Sequence, residues 1–261
     1  VMKIAVLVKH VPDATADRTF SETDHTTDRV GVDGILSELD EYAVEEALKI
    51  AEPADGEVVV LTMGPEQAAD ALRKGLQMGA ASAVHVVDDA LHGSDVIATS
   101  LVLAAAIRKV GAVDLVLTGM ASTDGSMSVV PAMIAERLGL PHVGFVGDLT
   151  VADGTVTGRR DGDAASETVE AQLPAIVSVT DQINEPRYPS FKGIMAAKKK
   201  PFETWSVADL DVDAADVGLS AAWSIVEDVT KRPPRTSGQV VTDEGDGGVR
   251  LVEFLAAQKF V

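Results

Sequence analysis

Short unbroken apolar runs alternate, along the first half of the chain, with stretches whose apolar residues recur every three or four positions. The runs predict strands at residues 4–8, 57–63, 84–87 and 114–118. The periodic stretches predict helices between them. Ser37-Glu38-Leu39-Asp40 fits a capping box, with the Ser37 hydroxyl aimed at the amide of residue 40. Behind it Ala43, Val44, Ala47, Leu48 and Ala51 keep helical spacing. Pro65 opens a second helix through Ala69, Leu72 and Leu76 to Gly79, Ser94 caps a third from Asp95 to about Val110, and a fourth runs from Met127 to Leu138. Strands separated by helices of this length form right-handed βαβ units, so the fold class is α/β with a mostly parallel, doubly wound sheet. The polar stretch of residues 12–33 is too long for an ordinary connection and reads as a functional loop or a small irregular insertion. After residue 145 the pattern changes. Ala152-Asp153-Gly154-Thr155 marks a hairpin within residues 148–160, and residues 174–179 are one more strand. From residue 206 the text turns acidic and ends in an amphipathic stretch, residues 249–260. The expected organisation is one α/β domain, residues 1–200, and an extended C-terminal arm with a helix, residues 201–261, packed on a partner chain.

Composition narrows the function. The 261 residues are 46% hydrophobic but only 4% aromatic, so the core is aliphatic. Acidic residues outnumber basic ones 41 to 22, for a formal charge of −19, which argues against general binding of DNA or RNA. No cysteine means no disulfide, thiol nucleophile or thiolate metal site. No apolar run is long enough for a membrane span, and the run at residues 4–8 is too short for a secretory leader, so a cytoplasmic protein without membrane insertion is expected.

Candidate chemistry lies at the carboxyl ends of the strands, where parallel sheets bind ligands. These ends are Lys9-His10-Val11, Gly64-Pro65 and the segment from Thr118 to Ser126. That last segment brings Gly119, Gly125 and the hydroxyls of Thr118, Ser122, Thr123 and Ser126 to the start of a helix, a setting suited to phosphate. The alternative is an ordinary loop whose hydroxyls only cap the helix; there is neither a Walker lysine nor Gly-x-Gly-x-x-Gly spacing. The five histidines show no metal-ligand spacing, and His10 alone is well placed for a ligand. Glu45-Glu46 and Asp88-Asp89 read as solvated charges. Residues 187–200 carry Arg187, Lys192, Lys198, Lys199 and Lys200 and no acid. With Tyr188, Phe191, Ile194 and Met195 among them, they read as a protein-docking surface or as a core-covering loop with a solvated lysine run.

Asn184-Glu185-Pro186-Arg187-Tyr188 followed by Ile194-Met195-Ala196-Ala197-Lys198-Lys199-Lys200 closely resembles the signature of the electron transfer flavoprotein β subunit. Lys9-His10-Val11-Pro12-Asp13, Asp40-Glu41-Tyr42-Ala43-Val44-Glu45-Glu46-Ala47, Gly64-Pro65 and the Gly119 to Pro131 loop fall in that family's order. The resemblance implies an adenine-nucleotide α-hydrolase-like fold and an electron carrier subunit rather than an enzyme. An α subunit would hold most of the FAD, and this chain would bind AMP. Contacts are implied at Leu7, Lys9, Ser37, Leu39, Asp40 and Met63, and along Gly119, Thr123, Asp124, Gly125, Ser126, Met127, Ser128, Val129 and Val130. The phosphate would sit near Thr123 to Ser128 and the adenine near the backbone of Leu7 and Met63. Tyr188, Phe191, Ile194 and Met195 would dock acyl-CoA and other flavin dehydrogenases, with Phe191 as anchor, and a quinone oxidoreductase would receive the electrons. The chain departs from the family pattern at Ser37, where many members have Asn, at Ala14, and within residues 122–126. Competing readings are a bifurcating variant with a second FAD in the AMP site, a stand-alone adenine-nucleotide-binding protein and a purely structural subunit.

Overall fold

The computed structural model describes residues 1–16, 18–235, 238 and 240–261. In chain order, β1 (Lys3–Leu7) leads to a short antiparallel pair, β2 (His10–Pro12) and β3 (Gly34–Leu36). Then come α1 (Glu38–Ala51), β4 (Glu57–Met63), α2 (Ala69–Met78), β5 (Ser82–Val86), α3 (Val96–Val110), β6 (Leu115–Gly119), α4 (Val130–Leu138) and β7 (His142–Val146). A small antiparallel sheet follows, β8 (Asp148–Ala152), β9 (Thr155–Asp161) and β10 (Ser166–Gln172). Last are β11 (Ala175–Val179), α5 (Phe191–Ala197), β12 (Phe202–Trp205) and α6 (Gly247–Ala257).

Seven strands form one parallel sheet in the order β12-β5-β4-β1-β6-β11-β7. The chain lays β4 and β5 outward on one side of β1, then returns to place β6 on its other side. The winding direction therefore reverses between β1 and β6, and a crevice opens at their carboxyl ends. Register levels those ends: Leu7 pairs with Leu61 of β4 and with Thr118 of β6.

Alternate residues of each strand face opposite layers. Ile4, Val6, Val58, Val60, Leu115 and Leu117 pack with Val44 and Leu48 of α1 and Leu72 and Leu76 of α2. Ala5, Leu7, Val59, Leu61 and Val116 pack with Val102 and Ile107 of α3 and Ile134 of α4. Both faces are thus covered, which is why the strands read as unbroken apolar runs. Each fully buried side chain, such as Leu61, Leu72 or Leu117, contributes about 1.5–3 kcal/mol of burial.

Several local expectations are corrected. Ser37 does sit at the N-cap of α1, but its hydroxyl makes no cap bond; the Asp40 amide bonds the Ser37 carbonyl instead, at 2.9 Å. Asp95 rather than Ser94 caps α3, accepting from the Ile97 and Ala98 amides, while the Ser94 hydroxyl accepts from the Gly218 amide. α4 begins at Val130 rather than Met127, because Ser126 and Ser128 adopt left-handed conformations (φ 54° and 58°) that interrupt a helix. Glu45 and Glu46 are buried rather than solvated. The arm was expected from residue 201, yet Phe202–Trp205 form the edge strand beside β5. The chain divides into two compact units, Val1–Glu227 and Asp228–Val261, the second containing α6. Among the described residues no helix is long and apolar enough to cross a membrane.

Candidate functional site

The crevice at the switch point is built from the ends of β1, β4 and β6 and the first turn of α1. Leu7 and Met63 are the last residues of β1 and β4, and Gly119 is the last of β6. Asp40, buried in the first turn of α1, ties two of these ends together. Its carboxylate accepts from the Lys9 amide at 2.8 Å and from the Gly119 amide at 3.2 Å. Burial pushes the Asp40 carboxyl up to about 7, because the two amide bonds recover only part of the lost hydration. Gly119 is required by the close approach: a Cβ there would lie 2.6 Å from Asp40 Oδ1 and 2.7 Å from the Leu39 carbonyl oxygen.

Past Gly119 the loop is held by charge. Asp124 accepts from Lys9 Nζ at 2.9 Å and from Arg29 Nη2 at 2.6 Å, with only 5% of its side chain exposed. Burial opposes ionisation of Asp124, yet the two cations hold its carboxyl well below the usual carboxylate range. Desolvation lowers the Lys9 ammonium from its ordinary value, with Asp124 pulling the other way. Ser122 Oγ accepts from Lys9 Nζ at 3.4 Å and from the Gly125 amide at 3.1 Å. The Thr118 hydroxyl bonds the Gly119 carbonyl and is not free for a ligand.

This arrangement fits a nucleotide phosphate. Ser126 and Ser128 both take left-handed φ, a backbone conformation found in anion-binding turns. Gly125, Ser126 and Met127 are exposed, and Thr123, Ser128, Val129 and Val130 are half-buried. Val129, the N-cap of α4, supplies no side-chain cap; Pro131 has no amide hydrogen and the Met133 amide bonds the Val129 carbonyl at 3.0 Å, so the donors this helix start offers a ligand are the amides of Val130 and Ala132. Ser37 is fully buried, and its hydroxyl has no hydrogen-bond partner among the described residues. Leu39, half-buried, places its carbonyl against Gly119. Leu7, Lys9, Asp40, Met63 and Gly119 thus lie at the carboxyl edge of the sheet.

His10 does not join them. Its ring lies against Gly34, where a Cβ would be 2.1 Å from Cε1, and burial lowers its pKa, so it is a neutral packing residue of the β2–β3 pair. His85 is likewise internal, with Nε2 3.1 Å from the Gly64 carbonyl oxygen. Among the described residues no group of three or more His, Asp or Glu is placed to hold a metal.

The second feature is α5 and the loop before it. Tyr188 and Phe191 are 92% and 81% exposed, and Ile194 and Met195 share the outer face of α5 at helical spacing from Phe191. Ser190 caps the helix through the Gly193 amide at 3.0 Å. Arg187 points inward instead. Its guanidinium pairs with Glu45 at 2.7 and 3.0 Å and with Glu52 at 2.5 Å, while Asn184 Nδ2 donates to Glu46 and to the Tyr42 carbonyl. Lys200 bonds the Leu76 carbonyl, so the exposed cations of this stretch are Lys192, Lys198 and Lys199.

Sequence reasoning missed Arg18 and Arg29. Arg29 holds Asp124, and Arg18 Nη2 donates to the Thr123 carbonyl at 2.7 Å. The available signal was that these are the only Lys or Arg residues between positions 12 and 33.

Comparison with known proteins is consistent across the chain. The model of the electron transfer flavoprotein domain family matches residues 24–210. The chain is 49% identical over 263 residues to the electron transfer flavoprotein subunit beta of Mycobacterium leprae, covering 99% of both proteins. It is 36% identical to the subunit of the same name from Megasphaera elsdenii over 100% of both. It is also 38% identical, over 92% of both, to the Caffeyl-CoA reductase-Etf complex subunit CarD of Acetobacterium woodii.

Proposed function

Since the chain belongs to the electron transfer flavoprotein family and aligns with its β subunits over their full length, we propose that it is the AMP-binding half of a heterodimeric electron carrier in the cytoplasm. An α subunit holds most of the FAD, and acyl-CoA and other flavin dehydrogenases deliver electrons that pass on to a quinone oxidoreductase. The flavin, when bound, supplies the reversible acceptance of electrons. This chain performs no bond chemistry on a substrate.

The observation that carries the reading is the crevice between β1 and β6. The loop after β6, which leads into an uncapped helix start, and Lys9, whose Nζ is bonded to that loop's Asp124, meet there on a protein whose overall charge repels phosphate. Adenine would lie over the ends of β1 and β4, near Leu7 and Met63, and the phosphate at residues 123–130. None of these groups is a nucleophile or a base set against a reacting atom, which suits a ligand that stays intact. Tyr188, Phe191, Ile194 and Met195 form the docking face, rimmed by Lys192, Lys198 and Lys199.

The test is to co-purify the chain with its α subunit, denature the complex and measure released nucleotides. One FAD and one AMP per heterodimer supports the reading. Two FAD and no AMP supports the second reading, a bifurcating variant, which is favoured by likeness to a subunit of the Caffeyl-CoA reductase-Etf complex. For the docking face, Phe191→Ala is expected to raise the KM for the carrier in a dehydrogenase assay about tenfold, with the flavin content kept; an exposed aromatic that becomes an interface anchor is worth that much. An unchanged KM would remove Phe191 from the docking face.

A further inference from the structure

The chain between β2 and β3 contains a small hairpin. Phe20 and Thr27 form an antiparallel bridge, and the Ser21 amide bonds the Thr26 carbonyl at 2.8 Å. Arg18 and Arg29 flank its base, and both grip the loop after β6, through the Thr123 carbonyl and the Asp124 carboxylate. At the tip, Asp24 Oδ2 lies 2.7 Å from Nε2 of His92, in the segment that follows β5. His25 beside it lies 3.1 Å from the Val226 carbonyl oxygen.

The sheet order between those two anchorages is β5-β4-β1-β6. Three strand spacings amount to about 14 Å. Asp24 sits in the turn five positions before Arg29, and the side chains of the two residues complete the span from the loop after β6 to the segment after β5. The two strands between β6 and β5 in that order, β1 and β4, end at Leu7 and Met63.

We propose that residues 18–29 are a strap across the nucleotide crevice, fixed at its base by Arg29 on Asp124 and at its tip by Asp24 on His92, and that the strap retains the bound nucleotide. The proposal rests on the adenylate reading of the crevice given above. It gives Arg29 a role in holding the strap to the loop after β6. Asp124 is nearly buried and has two cationic partners; without Arg29 one of its oxygens loses its donor and the hairpin loses its firmest hold. It also accounts for the length of a polar segment that a simple connection would not need.

The experiment uses the heterodimer co-expressed with its α subunit, and reads exchange of bound nucleotide against added radiolabelled AMP. The wild type is expected to keep its AMP through gel filtration and to exchange slowly. Arg29→Gln and, separately, Asp24→Ala are expected to exchange at least tenfold faster, with the flavin absorbance band and far-ultraviolet circular dichroism unchanged. Arg29→Lys should restore part of the retention. If the wild type holds AMP and both variants exchange at its rate, the strap is overturned while the crevice reading stands. If the wild type carries no adenylate, the crevice reading itself falls, and the strap with it. Should Arg29→Gln misfold, Asp24→Ala alone decides, since its side chain meets only the exposed tip and His92.

Discussion

At the scale of single residues, Asp40 sets a pH dependence. Its carboxyl titrates near 7 in the fold, against about 3.9 in an unfolded chain. Between those values the folded state holds a proton that the unfolded state has released, so stability from this group is full below about 4 and is lost as the pH rises through 7. The melting temperature of the wild type is expected to fall relative to Asp40→Asn between pH 5 and 8; a constant gap would contradict the buried carboxylate. Arg187 makes a second case. Arg187→Ala leaves Glu45 buried without its bidentate partner, at a cost of roughly 1–3 kcal/mol. The melting temperature should drop by about 2–10 °C, measured by calorimetry, with electron transfer from the dehydrogenase weakened because α5 is no longer held. Such pairings explain what sequence could and could not show. Lys9 and residues 118–126 were legible because strand ends are recognisable locally, whereas Asp40 and residues 127–130 came only with the family resemblance. Glu45 and Glu46 were not, because their partners, Arg187 and Asn184, lie about 140 positions away. A charged pair reads as solvated until its distant counter-charge is known.

At the scale of elements, the contact between β6 and α1 decides whether the crevice has its shape. Gly119→Ala would drive a methyl group into the Asp40 carboxylate and the Leu39 carbonyl, and backbone cannot swing aside as a flexible side chain does. The expected cost is about 1–3 kcal/mol together with loss of AMP, read by thermal denaturation and nucleotide extraction. Retention of AMP at wild-type stability would contradict the packing. The parallel-sheet strands up to β6 and the helices between them were readable because both faces of the sheet are covered and the periods are strong. The short β2 and β3, and β7, β10 and β12, were not. β10 is polar along its length in a sheet that is mostly exposed, and β12 buries only Trp205 of four residues. α5 escaped notice because its apolar residues face outward, so their spacing points to nothing in this chain.

For the whole molecule, the division at Glu227 separates the unit that carries the sheet from the one that carries α6. Val1–Glu227 contains the parallel sheet, both cores and the crevice, while α6 in Asp228–Val261 presents exposed Val249, Leu251, Val252 and Phe254. Deleting residues 228–261 is expected to leave the circular dichroism and melting temperature of the first unit nearly unchanged, and to abolish co-elution with the α subunit. Co-elution of the truncated chain would show that the arm does not mediate assembly. The placement of β12 has a consequence of another kind. Its neighbour β5 precedes it by roughly 120 residues, with Phe202 paired to Ala83. At about 5–20 residues per second, a ribosome needs on the order of 10 s to deliver that neighbour. Throughout that interval the edge of β5 keeps its backbone donors and acceptors unpaired, so the nascent polypeptide passes through a stage with an open strand edge that a chaperone would find uncovered.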